Sequence, residues 1–147
     1  MRYPIKKVLT HSKTVAIVGL SAKPESDSYA VARYLSNHGY DVIPINPSAS
    51  EIMGLKSYAS LRDLPEPPDV VDVFRRAEFV PAIVEDAIAV GAKAVWLQLG
   101  LVHPAAAKRA RGAGLMVVAD RCMKREHERL NGAAVPPGGT CGWKPPA

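Results

Sequence analysis

The feature that most constrains the fold of this sequence is the repeated alternation of short apolar runs with helix-length amphipathic segments. Five runs have strand length and are continuously apolar, at 14–19, 41–45, 70–74, 94–97 and 115–119. Continuous rather than alternating apolar character is typical of parallel strands that are buried on both faces. The helical segments between successive strands imply right-handed crossovers. The pattern therefore predicts a parallel sheet covered by helices on both sides.

The segments between the strands contain helix signals. Apolar residues three and four positions apart predict a helix over 29–35, with Ser28 as its N-cap and Gly39 just beyond its end. Further helices are predicted over 79–90, 104–110 and 123–130. With a possible short strand at 56–58, the sequence predicts an α/β, Rossmann-like doubly wound sheet of five or six strands in three layers, α/β/α.

The two ends of the chain differ in character. The first dozen residues are predicted to form a short helix that packs Ile5, Val8 and Leu9 on the sheet. The last segment, 131–147, is rich in Pro and Gly without periodicity and is predicted to be a tail. We expect residues 1–130 to form one domain, because 147 residues suit a single core.

Composition excludes several classes of protein. The chain has a net charge of +5, but aromatic residues make up only 6%, which disfavours a binder of single-stranded nucleic acid. No apolar run approaches the ~20 residues of a membrane span, and no apolar region follows the basic N-terminus as in a secretory signal. Two cysteines, Cys122 and Cys141, form neither a disulfide framework nor a four-ligand metal site. We therefore expect a cytoplasmic protein that binds neither nucleic acid nor membranes.

Candidate ligand-binding residues follow from the fold, because doubly wound sheets bind ligands beyond the carboxyl ends of their strands. Loops begin at these ends with small, polar and basic side chains, including Arg75 and Arg121. The candidate residues are Gly19, Leu20, Ser21, Lys23, Pro24, Ser28, Tyr29, Asn46, Pro47, Phe74, Arg75, Gln98, Gly100, Arg121 and Cys122. Together they predict an anion-binding edge of the sheet.

The loop after the first strand narrows the choice of ligand. The three-glycine dinucleotide fingerprint is absent, since Gly19 is followed by a Ser, Lys and Pro loop. A helix N-terminus with Ser21 and Lys23 can still bind phosphate. An NAD site would usually place an acidic residue after the second strand, where this chain has Asn46. These residues favour a phosphate-bearing ligand other than NAD.

No catalytic set is evident. The four histidines fall in predicted helices or loops, without a nucleophile elbow or a zinc-binding helix motif. Cys122 lies beside Arg121, where a thiolate would be favoured, although a structural, half-buried cysteine is the simpler interpretation. We expect a binding protein rather than an enzyme.

Several stretches together resemble a known family. The stretches VAIVGLSAKP (15–24), GYDVIPINP (39–47), VDVFRR (71–76), AVWLQLG (94–100) and DRC (120–122) occur in the order seen in the CoA-binding domain family of small bacterial proteins. This family is similar to the N-terminal domain of the succinyl-CoA synthetase α-subunit. The resemblance spans about residues 10–130, which is nearly the whole chain.

The resemblance implies a Rossmann-like fold and coenzyme A as ligand. It implies that residues 19–23 and the helix start at Ser28 and Tyr29 hold the phosphates, and that Gln98 to Gly100 line the pantetheine path. Asn46–Pro47 would border the adenosine, with Phe74–Arg75 as another wall. The synthetases usually have a lysine just after the second strand, where this chain has Ser48, and their phosphorylated histidine lies in a domain that this sequence does not contain.

The leading hypothesis is therefore a protein that binds CoA or acyl-CoA without a catalytic centre of its own. It would serve as a carrier, a sensor or a partner subunit, with a protein partner or a homo-oligomer as options. The alternative is an NAD(P)-binding redox or regulatory module on the same sheet. A third hypothesis gives Cys122 a role in forming a mixed disulfide with the CoA thiol.

Overall fold

A computed structural model describes residues 3–132 and shows one parallel sheet between two layers of helices. The strands of this sheet are β1 (Thr14–Val18), β2 (Asp41–Ile45), β5 (Val70–Val73), β6 (Ala94–Leu97) and β7 (Met116–Val118). The helices are α1 (Tyr3–His11), α2 (Asp27–Asn37), α3 (Val80–Val90), α4 (Pro104–Gly112) and α5 (Met123–Leu130). The strand order is β2-β1-β5-β6-β7, with all neighbours parallel. The predicted doubly wound, three-layer α/β/α fold is confirmed.

Two apolar clusters lie on opposite faces of the sheet. On one face, Val8, Leu35 and Met123 of α1, α2 and α5 pack against side chains such as Trp96. On the other face, α3 and α4 pack through residues such as Val84 and Ala110. The N-terminal helix was correctly predicted, because Ile5, Val8 and Leu9 are all buried on the sheet. The strands are apolar on both sides because both sides are covered.

A small hairpin extends the connection between β2 and β5. Its strands are β3 (Glu51–Ile52) and β4 (Leu55–Lys56), which pair antiparallel, and a 3-10 helix follows at Leu61–Asp63. The short strand predicted at 56–58 is displaced, since Tyr58 makes only an isolated bridge to Ile45. A second 3-10 helix, Ala77–Phe79, leads into α3.

The predicted start of α2 is wrong by two residues. Ser26 is the N-cap, and its hydroxyl oxygen accepts a hydrogen bond from the backbone N–H of Tyr29 at 3.2 Å. Ser28 lies inside the first turn, and its hydroxyl oxygen accepts from the N–H of Ser21 at 2.9 Å. Either serine could cap a helix, and only the path of the preceding loop decides between them.

The tail predicted over 131–147 lies outside the described residues from position 133 onwards.

Candidate functional site

The topological switch point of the sheet lies between β1 and β5. The chain leaves β1 towards β2 on one side, and the later strands continue on the other side of β1. The loops that follow β1 and β5 therefore separate above this point and leave a crevice at the carboxyl edge. Backbone hydrogen bonds hold the strand ends, with Phe74 N donating to Val18 O at 2.9 Å and Gly19 N donating to Ile45 O at 3.0 Å.

Gly19 is required by this geometry. Its φ of +87° lies in the region that side chains disfavour, and a Cβ at this position would stand 2.5 Å from the carbonyl oxygen of Phe74. The end of β1 thus passes directly against the end of β5. A glycine here lets the backbone border the crevice without filling it.

A cavity of about 230 Å³ opens beside this crossing. Three predicted residues from three different strand ends line it, namely Gly19, Pro47 and Arg75. The other lining residues are mainly apolar and are Val18, Ile45, Ala59, Ser60, Leu61, Phe79, Ala82, Ile83 and Asp86. Ligand pockets in proteins are usually concave and mostly apolar with a few polar groups, at about 300–1,000 Å³. This cavity therefore suits one flat apolar part of a larger ligand.

The exposed side chain of Arg75 gives the mouth of the cavity positive charge, whereas the neighbouring Arg76 is paired with Glu78 at 3.4 Å. The guanidinium carbon of Arg75 lies 4.2 Å from the ring centroid of Phe79, and that of Arg76 lies 5.4 Å from it. Both arginines are exposed. The acidic wall residue Asp86 is paired with Arg62 at 2.7 Å, which offsets its charge. A cation stacked on an aromatic ring is held in place yet can still donate to an anion.

The polar residues of the first loop hold the loops together. Ser21 is tied to Ser28 by the bond described above, and its own hydroxyl accepts from Lys23 N at 3.1 Å. The Asn46 amide donates to Leu20 O at 2.9 Å and accepts from Ser48 N at 2.7 Å. Since these groups fix the backbone, the Lys23 side chain is the exposed cation that this loop offers to a ligand.

Other predicted residues lie away from the cavity. Pro24 and Tyr29 line a separate groove of about 470 Å³ along α2, together with Arg33 and Lys124. Leu20 is buried in the core, and Phe74 packs half-buried against the same core. The structure therefore divides the predicted phosphate loop between two surfaces.

Gln98 does not point to the surface of the edge. Its side chain is buried and donates from Nε2 to Oδ1 of Asp72, an acid at the third position of β5. Burial raises the pKa of Asp72 to about 8, although the hydrogen bond from Gln98 opposes this rise. Among the described residues, Asp72 Oδ2 has no hydrogen-bond partner. Burial therefore favours the protonated form of this carboxyl group, and its hydrogen bond with Gln98 ties β5 to the end of β6.

The last predicted residues lie beyond β6 and β7. Gly100 is exposed and donates its N–H to Oδ1 of Asp120 at 2.7 Å. Arg121 is exposed, and its carbonyl oxygen accepts from the indole N–H of Trp96 at 2.8 Å. Cys122 is only 2% exposed and packs in the core at the start of α5. A thiol in this position is screened from solvent, which counts against the mixed-disulfide hypothesis.

Strand-end reasoning missed two kinds of residue. Phe79 and Asp86 reach the cavity from the 3-10 helix and α3, so the strand-end rule could not find them. Asp72 has a visible sequence signal, because it is the acid within an otherwise apolar strand. Asp120 does follow the last strand in the sequence, but its φ of 58° is a feature that a sequence does not reveal.

Within residues 3–132, no group of three or more metal-ligating side chains occurs. No helix in this part of the chain is long and apolar enough to cross a membrane.

The fold and this edge of the sheet define a class of protein. An open doubly wound sheet with a glycine at its switch point, a cavity beside it and an arginine at the mouth is typical of nucleotide-binding domains. Comparison with known proteins narrows this class. The family model for the CoA binding domain matches residues 13–128, and the chain belongs to that family.

Relatives of two kinds match the chain. The chain is 38% identical to the protein YneT of Bacillus subtilis (strain 168) over 123 residues, 84% of this chain and 91% of that protein. A solved structure of a protein from Pyrococcus horikoshii OT3 superposes with a TM-score of 0.86 at 47% identity, covering 90% of this chain and 93% of that one. The α subunit of the ADP-forming acetate–CoA ligase I of Pyrococcus furiosus is 33% identical over 95 residues, 60% of this chain but only 21% of the subunit. The family predicted from the sequence is thus confirmed.

Proposed function

We propose that this protein binds coenzyme A at the carboxyl edge of its sheet and has no catalytic centre of its own there. The observation that supports this most directly is the convergence of Gly19, Pro47 and Arg75 on one cavity at the switch point. Membership of the CoA-binding domain family supplies the identity of the ligand.

The cavity is suited to the adenine ring. Its walls are apolar apart from Ser60 and the side chains at its mouth, and its volume is below the usual range for a whole ligand. The adenine would lie between Gly19 and Pro47, with the remainder of the molecule outside. A close approach of the ring to the backbone is possible because Gly19 has no side chain.

Exposed cations at the edge suit the phosphates. Arg75 lies at the cavity, and Lys23 and Arg121 lie on loops that follow other strands of the same edge. CoA carries a pyrophosphate and a 3′-phosphate, so several cations can be used at once. Arg75, next to the proposed adenosine, is the best placed for the 3′-phosphate, in the absence of the lysine that the synthetases usually have after the second strand.

The role that we propose is a carrier, a sensor or a subunit for another enzyme. In the acetate–CoA ligase α subunit the matched region is about a fifth of the chain, so this type of unit occurs there joined to further sequence. Here the family match covers residues 13–128 of 147.

Isothermal titration with CoA, dephospho-CoA and NADH tests the ligand. We expect CoA to bind, dephospho-CoA to bind more weakly because it lacks the 3′-phosphate, and NADH not to compete with CoA. Heat from NADH but not from CoA would instead support an NAD(P)-linked module. No heat from CoA or dephospho-CoA would refute the proposal.

Charge-matched variants test the position of the 3′-phosphate. Arg75→Gln should weaken CoA binding by roughly tenfold or more, the loss expected for one charge-assisted hydrogen bond, and dephospho-CoA binding much less. The control is Arg111→Gln, which removes the same charge from the end of α4 at the opposite edge of the sheet. Equal losses in the two variants would mean that only net charge matters.

A further inference from the structure

The turn after β6 is unusually well fixed for an exposed loop. Leu101 N donates to Gln98 O at 2.9 Å, and Gly100 has a φ of +84°, which together describe a β-turn with glycine at its third position. Leu99 stands at the tip of this turn, and Val102 follows it.

Neighbouring strands brace this turn from two sides. Below it, the buried side chain of Gln98 is bound to Asp72 of β5. Beside it, Asp120 after β7 accepts from Gly100 N at 2.7 Å and donates its own N–H to Leu101 O at 3.2 Å. Asp120 adopts its positive φ to do so, and strained residues of this kind tend to occur at functional sites.

The braced turn holds apolar side chains in solvent. Leu99 is 40% exposed and Val102 is 53% exposed, and they are the exposed large hydrophobic residues found in residues 3–132. Both therefore lie on one loop, at the edge where CoA is proposed to bind. Folding alone favours polar residues at such a tip, whereas a rigid surface that holds apolar groups outwards is typical of a binding site.

We propose that Leu99 and Val102 form an acyl contact, a surface that receives the apolar acyl group of an acyl-CoA thioester. This rests on the proposed CoA site. β6 lies two strands from β1, about 10 Å away at the usual spacing, so the reactive end of a ligand anchored beside Gly19 can extend along the edge to this turn.

The size of the contact favours an acyl chain over a protein partner. A stable protein interface buries about 800 Å² on each partner, which two partly exposed side chains cannot supply. A short hydrocarbon chain needs only a contact of this size. Asp120 acts here as a positioning residue, since it holds the turn and does not itself touch the acyl group.

Titration with CoA and with acetyl-, butyryl-, hexanoyl- and octanoyl-CoA tests the proposal. We expect affinity to rise with chain length, by roughly two- to fourfold for each CH₂ that becomes buried, until the contact is covered. Val102→Ser should flatten this rise while leaving the affinity for free CoA within about twofold, and Leu99→Ser should flatten it as well. Val90→Ser, an apolar-to-polar change at the far end of α3, is the control and should keep the rise.

A second variant tests the brace. Asp120→Gly removes the acceptor of the Gly100 N–H, while glycine still tolerates the positive φ. We expect it to reduce the dependence on chain length and to leave CoA binding and cooperative thermal unfolding in place.

The outcomes separate this proposal from the CoA site itself. Equal affinity for CoA and for its thioesters of every chain length would overturn the acyl contact and leave the CoA site standing. Equal losses for CoA and octanoyl-CoA in Val102→Ser would overturn it as well, because the valine would then contact the part common to both. Failure of CoA and all its thioesters to bind would overturn both proposals.

Discussion

At the scale of single residues, Asp72 is an acid whose environment strongly disfavours its ionised form. It is fully buried in β5, and its pKa is raised by burial from 3.8 to about 8. The folded protein therefore holds a proton that the unfolded chain releases above pH 3.8. Stability from this group is present below pH 3.8 and is lost as the pH rises towards 8.

Replacing Asp72 by Asn tests this description. The amide keeps an acceptor for Gln98 and does not ionise. The unfolding free energy of Asp72→Asn should therefore increase relative to that of the wild type as the pH rises from 5 to 8, by at most ~1.4 kcal/mol per pH unit. Urea unfolding at several pH values measures this difference. If the unfolding free energies of the two proteins instead change in parallel with pH, the carboxyl group is already ionised in the folded protein.

Gly19 is the residue on which the geometry of the switch point depends. In Gly19→Ala, the new methyl group would meet Phe74 O at 2.5 Å in a backbone conformation that alanine disfavours. We expect a loss of stability of about 1–3 kcal/mol and no measurable CoA binding, from calorimetric unfolding and titration.

Gly39→Ala is the matched control for this change. Gly39 also has a positive φ, of +91°, but no atom lies within 4 Å of the methyl group that alanine would add. It should therefore cost stability and keep binding. Loss of binding in both variants would attribute the effect at Gly19 to general destabilisation.

At the scale of elements, the two serines at the start of α2 have different tasks. Ser26→Ala should lower the unfolding free energy by about 1 kcal/mol, because the cap of the helix is lost. Ser28→Ala instead removes the acceptor of the Ser21 N–H and should affect the loop after β1, and with it the proposed ligand affinity, more. Denaturant unfolding and CoA titration of both variants separate these roles, and the reverse pattern would contradict them.

The contact between α2 and α5 contains a histidine sensitive to pH. Nδ1 of His127 lies 2.8 Å from the hydroxyl of Tyr34, and the ring of His38 lies 5.5 Å away. Burial first, and then the charge of His38, lower the pKa of His127, against an opposing effect of Glu128. Because the folded pKa lies below the unfolded value of 6.5, stability is present above that pH and is lost as the pH falls below it.

His127→Gln tests this contact at the same scale. Glutamine does not titrate, so the variant should lose less thermal stability than the wild type between pH 7 and pH 5, measured by circular dichroism melting. The other titratable groups near His127 are Tyr40, with its ring 5.6 Å away, and Lys124 on the same helix. An unchanged pH dependence would assign the acid sensitivity to other groups.

Strands and helices were largely predictable from sequence because burial on both faces leaves a strong apolar pattern. The five main strands occur within one residue of their predicted bounds at each end. The hairpin of β3 and β4 was not predicted, because strands of two residues have no periodicity. The cap at Ser26 was missed because two serines compete, and the backbone path rather than composition selects one of them.

At the scale of the whole molecule, the order of the strands determines which predicted residues line the cavity at the switch point. Gly19, Pro47 and Arg75 could be predicted because each follows a strand of one edge. Phe79 and Asp86 could not, because helix packing brings them to the cavity. The separation of Pro24 and Tyr29 from that cavity also depends on how α2 is placed, which a single sequence does not show.

The same scale offers the most direct test of the central claim, because within residues 3–132 the predicted ligand-binding residues are divided between a cavity and a groove along α2. A crystal structure with CoA should place the adenine in the cavity lined by Gly19 and Pro47, with Arg75 contacting a phosphate. Adenine in the groove along α2, between Pro24 and Lys124, would contradict this account of the site.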